Sequence, residues 1–181
     1  MSADVPLPPG IEMVRAAAEQ EPVLANLLEL YAHDFSEIID LRLHPDGRFG
    51  YPRLAEYWAG DGRFPFLVKV DGFLAGFVFV SRGSRITGDP RVWDMAEFFV
   101  VRGYRKRGIG AAVAHEIWRR FPGPWEVRVI EGNHAALAFW RSAIAAFTRS
   151  APETAIHAEE ERRWQVFSLV SPAAAGAEPH A

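Results

Sequence analysis

Between Val92 and Phe121 the spacing of apolar residues changes period once, and that change constrains the fold more than any other feature. Val92-Trp93-Asp94-Met95-Ala96-Glu97-Phe98-Phe99-Val100-Val101 alternates as a strand does. From Ile109 onward apolar residues recur at Val113 and Ile117, and again at Ala114, Trp118 and Phe121, which is the spacing of one helix face. The seven residues between, Arg102-Gly103-Tyr104-Arg105-Lys106-Arg107-Gly108, form a basic, glycine-bearing turn. Gly108 and Gly110 tolerate positive φ and lack a Cβ, so backbone N–H groups can point inward together beside the unpaired donors of a new helix. The helix end adds partial positive charge, and Arg105, Lys106 and Arg107 add full charges at the rim. A turn of this kind is built to hold a phosphate chain.

The spacing Arg105-x-x-Gly108-x-Gly110 directly after a strand resembles the acetyl-CoA-binding motif of the GNAT superfamily of N-acetyltransferases, Arg/Gln-x-x-Gly-x-Gly/Ala. A second segment, Asn133-His134-Ala135-Ala136-Leu137-Ala138-Phe139-Trp140, resembles the family's Asn-x-x-Ala-x-x-Phe/Leu-Tyr, which lines the CoA channel. The same residues also read as an asparagine N-cap and an apolar helix face, and both readings hold together. A dinucleotide fold is excluded because the glycines do not follow Gly-x-Gly-x-x-Gly and no βαβ repeat surrounds them. A Walker P-loop lacks its Gly-Lys-Ser/Thr. Nucleic-acid binding is disfavoured by a net charge of −3 and by the lack of a second basic stripe with interleaved aromatics.

At 181 residues with 49% apolar composition, the chain is expected to form one domain over 11–170, flanked by flexible tails at 1–10 and 171–181. The start of the sequence has no signal-peptide pattern and no apolar run reaches membrane-spanning length. The absence of cysteine removes disulfides, thiolate metal sites and a cysteine-borne acyl intermediate, and fits a reducing cytoplasm, the expected location. Six scattered histidines give no convergent zinc set; Glu131-x-x-His134 and His115-Glu116 are the closest pairings, and no metal is expected.

Along the chain we expect a strand at Ile11–Ala16, a helix opened by Glu21 and Pro22 with Leu24, Leu27, Leu28 and Tyr31 on one face, and a second helix near Ser36–Leu43. A short helix near Pro52–Ala59 follows. Phe66–Val70 and Phe73–Val80 flank Asp71-Gly72, the signature of a type I′ hairpin. After the motif strand and helix come a strand at Trp125–Ile130, a helix from Asn133 to about Phe147, and closing strands at Thr148–Ile156 and Arg163–Val170. This order is similar to the GNAT fold. The resemblance implies an α/β (α+β) architecture, a mixed, mostly antiparallel twisted sheet of about seven strands flanked by about four helices and splayed between the strands ending at Val101 and Ile130.

The resemblance further implies acetyl-CoA as cosubstrate. Its pantetheine arm would pair with Phe99, Val100 and Val101, its pyrophosphate would lie on Arg105, Lys106, Arg107, Gly108, Ile109, Gly110 and Ala111, and Asn133, Ala136, Phe139 and Trp140 would line the channel. Trp140 stands where many relatives place the tyrosine that protonates the leaving thiolate, and tryptophan cannot do so. Tyr104, Ser142 or water are the substitutes. A base must deliver a neutral amine, and Glu97, amid Phe98, Phe99 and Val100, is the candidate, with Asp94 second. The oxyanion would meet the N–H of Val100 or its neighbour.

The acceptor is expected between 34–57 and 151–163. There Asp34, Glu37, Asp40, Glu153, Glu159, Glu160 and Glu161 would draw a cationic amine, and Tyr51, Tyr57, Trp58 and Trp164 would pack an apolar body. The expected activity is direct acetyl transfer to a primary amine of a small molecule or peptide, without nucleic-acid or membrane partners and with a homodimer allowed. The alternative is a non-catalytic acyl-CoA-binding or regulatory module of the same fold, supported by Trp140.

Overall fold

A computed structural model describes residues 7–159 and 162–173. Seven strands, β1 (Ile11–Arg15), β2 (Arg63–Val70), β3 (Phe73–Arg82), β4 (Trp93–Val100), β5 (Gly123–Ile130), β6 (Glu153–Glu159) and β7 (Arg162–Ser171), form one sheet in the order β1-β2-β3-β4-β5-β7-β6. Three α-helices accompany it: α1 (Glu21–Phe35), α2 (Ile109–Arg120) and α3 (His134–Thr148). The expected mixed sheet is present, with three α-helices among the described residues where about four were expected.

Local chemistry explains most boundaries. Pro22 lies in the first turn of α1, where its missing N–H costs no helical bond. Asp71 and Gly72 both have positive φ, 51° and 81°, and close β2 onto β3 as the type I′ signature requires. Asn133 Oδ1 accepts the Ala136 N–H at 3.0 Å and starts α3.

Four expectations are corrected. Ser36–Leu43 does not form a second helix. The Ser36 hydroxyl donates to the His33 carbonyl, a local bond that competes with helix propagation, and after two turn-type bonds to Phe35 the chain extends toward Pro45. The helix expected at 52–59 shrinks to one 3₁₀ turn, Leu54–Tyr57. Thr148 belongs to α3, its hydroxyl on the Ile144 carbonyl, and left-handed Arg149 ends the helix, so β6 begins only at Glu153. Neither tail boundary holds as drawn: Leu7 packs on the core, the Gly10 carbonyl accepts the Asp71 N–H, and Ser171 is a strand residue whose hydroxyl donates to the Trp118 carbonyl. Residues 1–6 and 174–181 lie outside the described residues.

Both faces of the sheet are covered, so β3 is buried along most of its length. Val78, Val80 and Met95 pack on one side with Val113, Ile117 and Trp118 of α2 and Ile144 of α3. Leu67, Phe77, Phe79 and Phe99 pack on the other with Leu24 and Leu28 of α1 and with Leu54 and Tyr57.

Two irregularities position the site. The first is the only parallel pairing among the described strands, β4 with β5, which holds at Trp93 with Trp125 and Asp94 with Glu126 and then lapses as the strands diverge. The second is a β-bulge in β4. Phe79 pairs with Glu97 but Val80 with Met95, leaving Ala96 as the extra residue. Met95 and Phe98, three residues apart, consequently face the same cluster, and Ala96 and Phe99 face the other. The bulge therefore shifts the alternation by one residue immediately before Glu97.

Candidate active site

Where β4 and β5 separate, a cleft of about 700 Å³ passes through the sheet. It is lined by Phe98 and Trp140 from the α2/α3 side and by Leu28, Tyr31 and Phe35 of α1 from the other. A volume in this range is that of a small-molecule site.

Glu97 borders the cleft and is half-buried. Its Oε1 accepts the Tyr51 hydroxyl at 3.0 Å. Burial pushes the Glu97 carboxyl above its ordinary range; the Tyr31 and Tyr51 hydroxyls and the Arg128 guanidinium oppose that rise, and Asp94 adds to it. Burial first, then the charge of Glu97, pushes the Tyr31 and Tyr51 phenols well up, so both stay protonated donors around neutral pH.

Beneath Glu97 lies a buried ion pair. Asp94 is fully enclosed and takes Arg128 Nη2 at 3.0 Å and Nε at 3.3 Å. Asp94 is thus committed to Arg128, which removes the second-choice base from the chemistry. Burial works against the Arg128 charge, but Asp94 outweighs it and holds the guanidinium above its usual range.

The motif turn has the expected form. Gly108 sits at φ 78° and ψ −10° as the N-cap of α2, with no side chain capping the helix. The first amide donors of α2 therefore have no side-chain acceptor, the condition an anion needs there. Gly110 is closely packed: a Cβ on it would lie 3.2 Å from the Phe139 ring, which would have to shift by a few tenths of an ångström. The basic residues divide. Lys106 and Arg107 are exposed, whereas Arg105 donates from Nε to the Val100 carbonyl at 2.7 Å and, together with Arg102, ion-pairs with Asp34. Burial would raise the Asp34 carboxyl, but the bonds from Arg105 and Arg102 outweigh it and hold it below its usual range. Arg105 therefore fastens the turn to α1.

Along β4 the Val101 N–H is taken by the Ala75 carbonyl of β3. Strand alternation then directs the N–H groups of Phe98 and Val100 toward the gap beside β5. The Phe99 side chain packs away from the gap, against Tyr31 and Phe77. Asn133, Ala136 and Trp140 line the cleft, and the Phe139 ring stacks on Phe98. Tyr104 and Ser142 are not among the lining residues, so the structure does not bring either proposed proton donor to the cleft. His115 joins α2 to α3 through its ring nitrogen and the Ala143 carbonyl.

A model of the acetyltransferase (GNAT) family matches residues 24–144, from the first turn of α1 to α3. The chain belongs to the GNAT acetyltransferase family. Among solved structures, the GNAT chain is similar to an acetyltransferase from Thermus thermophilus, with 11% identity, a TM-score of 0.66, and coverage of 88% of this chain and 96% of that one. The ribosomal-protein-S18-alanine N-acetyltransferase from Escherichia coli aligns at 14% identity and a TM-score of 0.61, covering 94% and 99%. A spermidine N-acetyltransferase from Vibrio cholerae, solved with CoA and spermine, aligns at 9% identity and a TM-score of 0.60, covering 90% and 96%. No curated protein sequence matches significantly.

Reading the residues alone missed the company that Glu97 keeps. Tyr31 appeared only as part of a helix face and Tyr51 only as an apolar wall. A signal was present: Asp94, Glu97, Glu126 and Arg128 interrupt strands that are otherwise apolar enough to be buried, and buried charges come with partners.

Proposed function

We propose that this GNAT acetyltransferase moves an acetyl group from acetyl-CoA directly to the primary amine of a small molecule. The observation that carries the reading is Glu97, a carboxylate with a raised pKa held by Tyr51 on the wall of a cleft that opens through the sheet. The residues fit acetyl-CoA: α2 presents amide donors without a side-chain cap, and β4 presents unpaired N–H groups along the gap. Lys106, Arg107 and the backbone from Gly108 to Ala111 would hold the pyrophosphate, while Phe98, Asn133, Ala136 and Trp140 would line the pantetheine arm.

Bound acetyl-CoA supplies the activated thioester. Glu97, directly or through a water, takes the proton that makes the amine nucleophilic, and its raised pKa makes it a better base near neutrality. The N–H groups of Phe98 and Val100 polarise the carbonyl. With Tyr104 and Ser142 off the cleft and Tyr31 and Tyr51 engaged with Glu97, water protonates the thiolate, a tolerable leaving group by analogy with free cysteine, whose pKa is about 8.5. Trp140 also supports the second reading, a non-catalytic acyl-CoA-binding module.

Acetyl-CoA turnover across an amine panel separates the two. Glu97→Gln should keep CoA affinity and lower turnover by about 10²-fold or more at neutral pH. Wild-type turnover in that variant would remove Glu97 from the mechanism, and tight CoA binding without turnover of any amine would favour the binding module.

A further inference from the structure

Among the described residues the cleft holds more arginines than acids: Arg42, Arg85, Arg128 and Arg162 line it, against Glu97 and Glu159. Asp34 is taken by Arg102 and Arg105, and Asp40 by Arg42. Arg85 lines the cleft together with Glu97. Beside it lies a second cavity of about 130 Å³ that shares Tyr51, Arg85 and Ala96 with the cleft, so the two adjoin at that seam. The smaller cavity is walled by four arginines: Arg53, Arg63, Arg82 and Arg85. Among the described residues the one carboxylate paired with any of them is Glu56, which serves both Arg53 and Arg63. Arg82 gives its Nε to the Pro90 carbonyl and lies over the Trp93 ring.

Arg85 is held in place without using its guanidinium. Among the described residues its one hydrogen bond as donor is from the backbone N–H, which reaches Glu126 Oε1 at 2.7 Å. Glu126 is 4% exposed and also accepts the Ser84 hydroxyl. That hydroxyl oxygen in turn accepts the N–H groups of Ile86 and Thr87. A buried carboxylate of β5 thus fastens the β3–β4 loop and leaves the Arg85 fork at the seam between the cavities. Four arginines wall one small cavity and, among the described residues, a single carboxylate pairs with any of them, which leaves excess positive charge there in a chain whose net charge is −3. The planar fork of arginine matches a carboxylate or phosphate two bonds at a time.

We infer that the acceptor carries an anionic group, a carboxylate or a phosphate, a few bonds from its amine, and that Arg85 holds this group at the mouth of the arginine-walled cavity while the amine reaches Glu97. The inference rests on the Glu97 cleft being the site of acetyl transfer. The side cavity has room for one headgroup, which favours a small acidic amine, and its charge repels polyamines.

The test compares β-alanine and O-phosphoethanolamine with propylamine, ethanolamine and spermidine as acceptors, in the wild type and in Arg85→Gln. Because the Arg85 backbone makes the structural bond, the variant should fold. The acidic amines should be preferred, the better of the two identifying carboxylate or phosphate. Arg85→Gln should lower kcat/KM for that amine by about 10- to 100-fold, mainly through KM, and close the gap to its neutral counterpart. Preference for neutral amines or spermidine, or an equal effect of Arg85→Gln on acidic and neutral amines, would overturn the inference. A second readout is independent of turnover: calorimetric binding of N-acetyl-β-alanine and inorganic phosphate to the CoA-loaded protein. Binding that Arg85→Gln abolishes sustains the anion site even if no amine is acetylated, in which case the transfer reading alone falls. Binding that is absent, or unchanged in the variant, overturns the site.

Discussion

Arg128→Met should be among the most destabilising changes in the protein, because of what it leaves behind. Asp94 is fully enclosed, and besides three contacts to Arg128 at 3.0 to 3.3 Å it has one hydrogen bond among the described residues, from the Ser81 hydroxyl at 3.4 Å. Methionine has similar length and fills much of the space, but strands a buried carboxylate. Breaking such a pair on one side costs about 3–5 kcal/mol, whereas replacing both partners by apolar groups is often near neutral. At about 2–4 °C per kcal/mol for a domain of this size, Tm should fall by about 6–20 °C. Thermal unfolding followed by circular dichroism at pH 7 should show this deficit, and Asp94→Leu/Arg128→Met should recover most of it. A single variant within about 2 °C of the wild type, or a double variant as unstable as the single, would refute the reasoning.

Three further outcomes follow from the geometry. Tyr51→Phe removes a donor that favours ionised Glu97, so the Glu97 carboxyl should rise further and the acid limb of the kcat/KM–pH profile should move to higher pH; an unmoved limb would separate Tyr51 from the base. Gly108→Asp places a side chain at φ 78° and a negative charge at the mouth of α2, and calorimetric acetyl-CoA affinity should fall at least about tenfold in a folded variant. Gly76→Ala would set a Cβ 2.0 Å from the Phe99 carbonyl oxygen, a backbone atom that cannot swing away, so β3 and β4 must separate and stability should drop by about 1–3 kcal/mol in a urea titration.

What the sequence determined by itself is local. The strand, turn and helix from Val92 to Phe121, the Asp71-Gly72 hairpin and the Asn133 cap all follow from periodicity or from one residue's backbone preference, and each is found where those signals put it. The glycine turn between β4 and α2 belongs to this class because a helix start with free amide donors needs only consecutive residues. The second helix at Ser36–Leu43 failed for the complementary reason, since its apolar spacing was outweighed by a serine that bonded its own turn and by Pro45 beyond it. Only the tertiary structure decided the surroundings of Glu97. One extra residue, Ala96, shifts β4 by half a period, and period-2 reading of a sequence has no means of seeing an insertion that exists only relative to the partner strand. Tyr31, Tyr51, Glu97 and Arg128 come from a helix, a loop and two strands and meet because the sheet splits between β4 and β5. Arg85 reaches the same place through a partly buried bond from its backbone N–H to Glu126, 41 residues away. The free energy of that convergence lies in burial and long-range pairing, which depend on what the folded chain brings together and leave only a faint mark, a few charges in apolar strands, on the sequence itself.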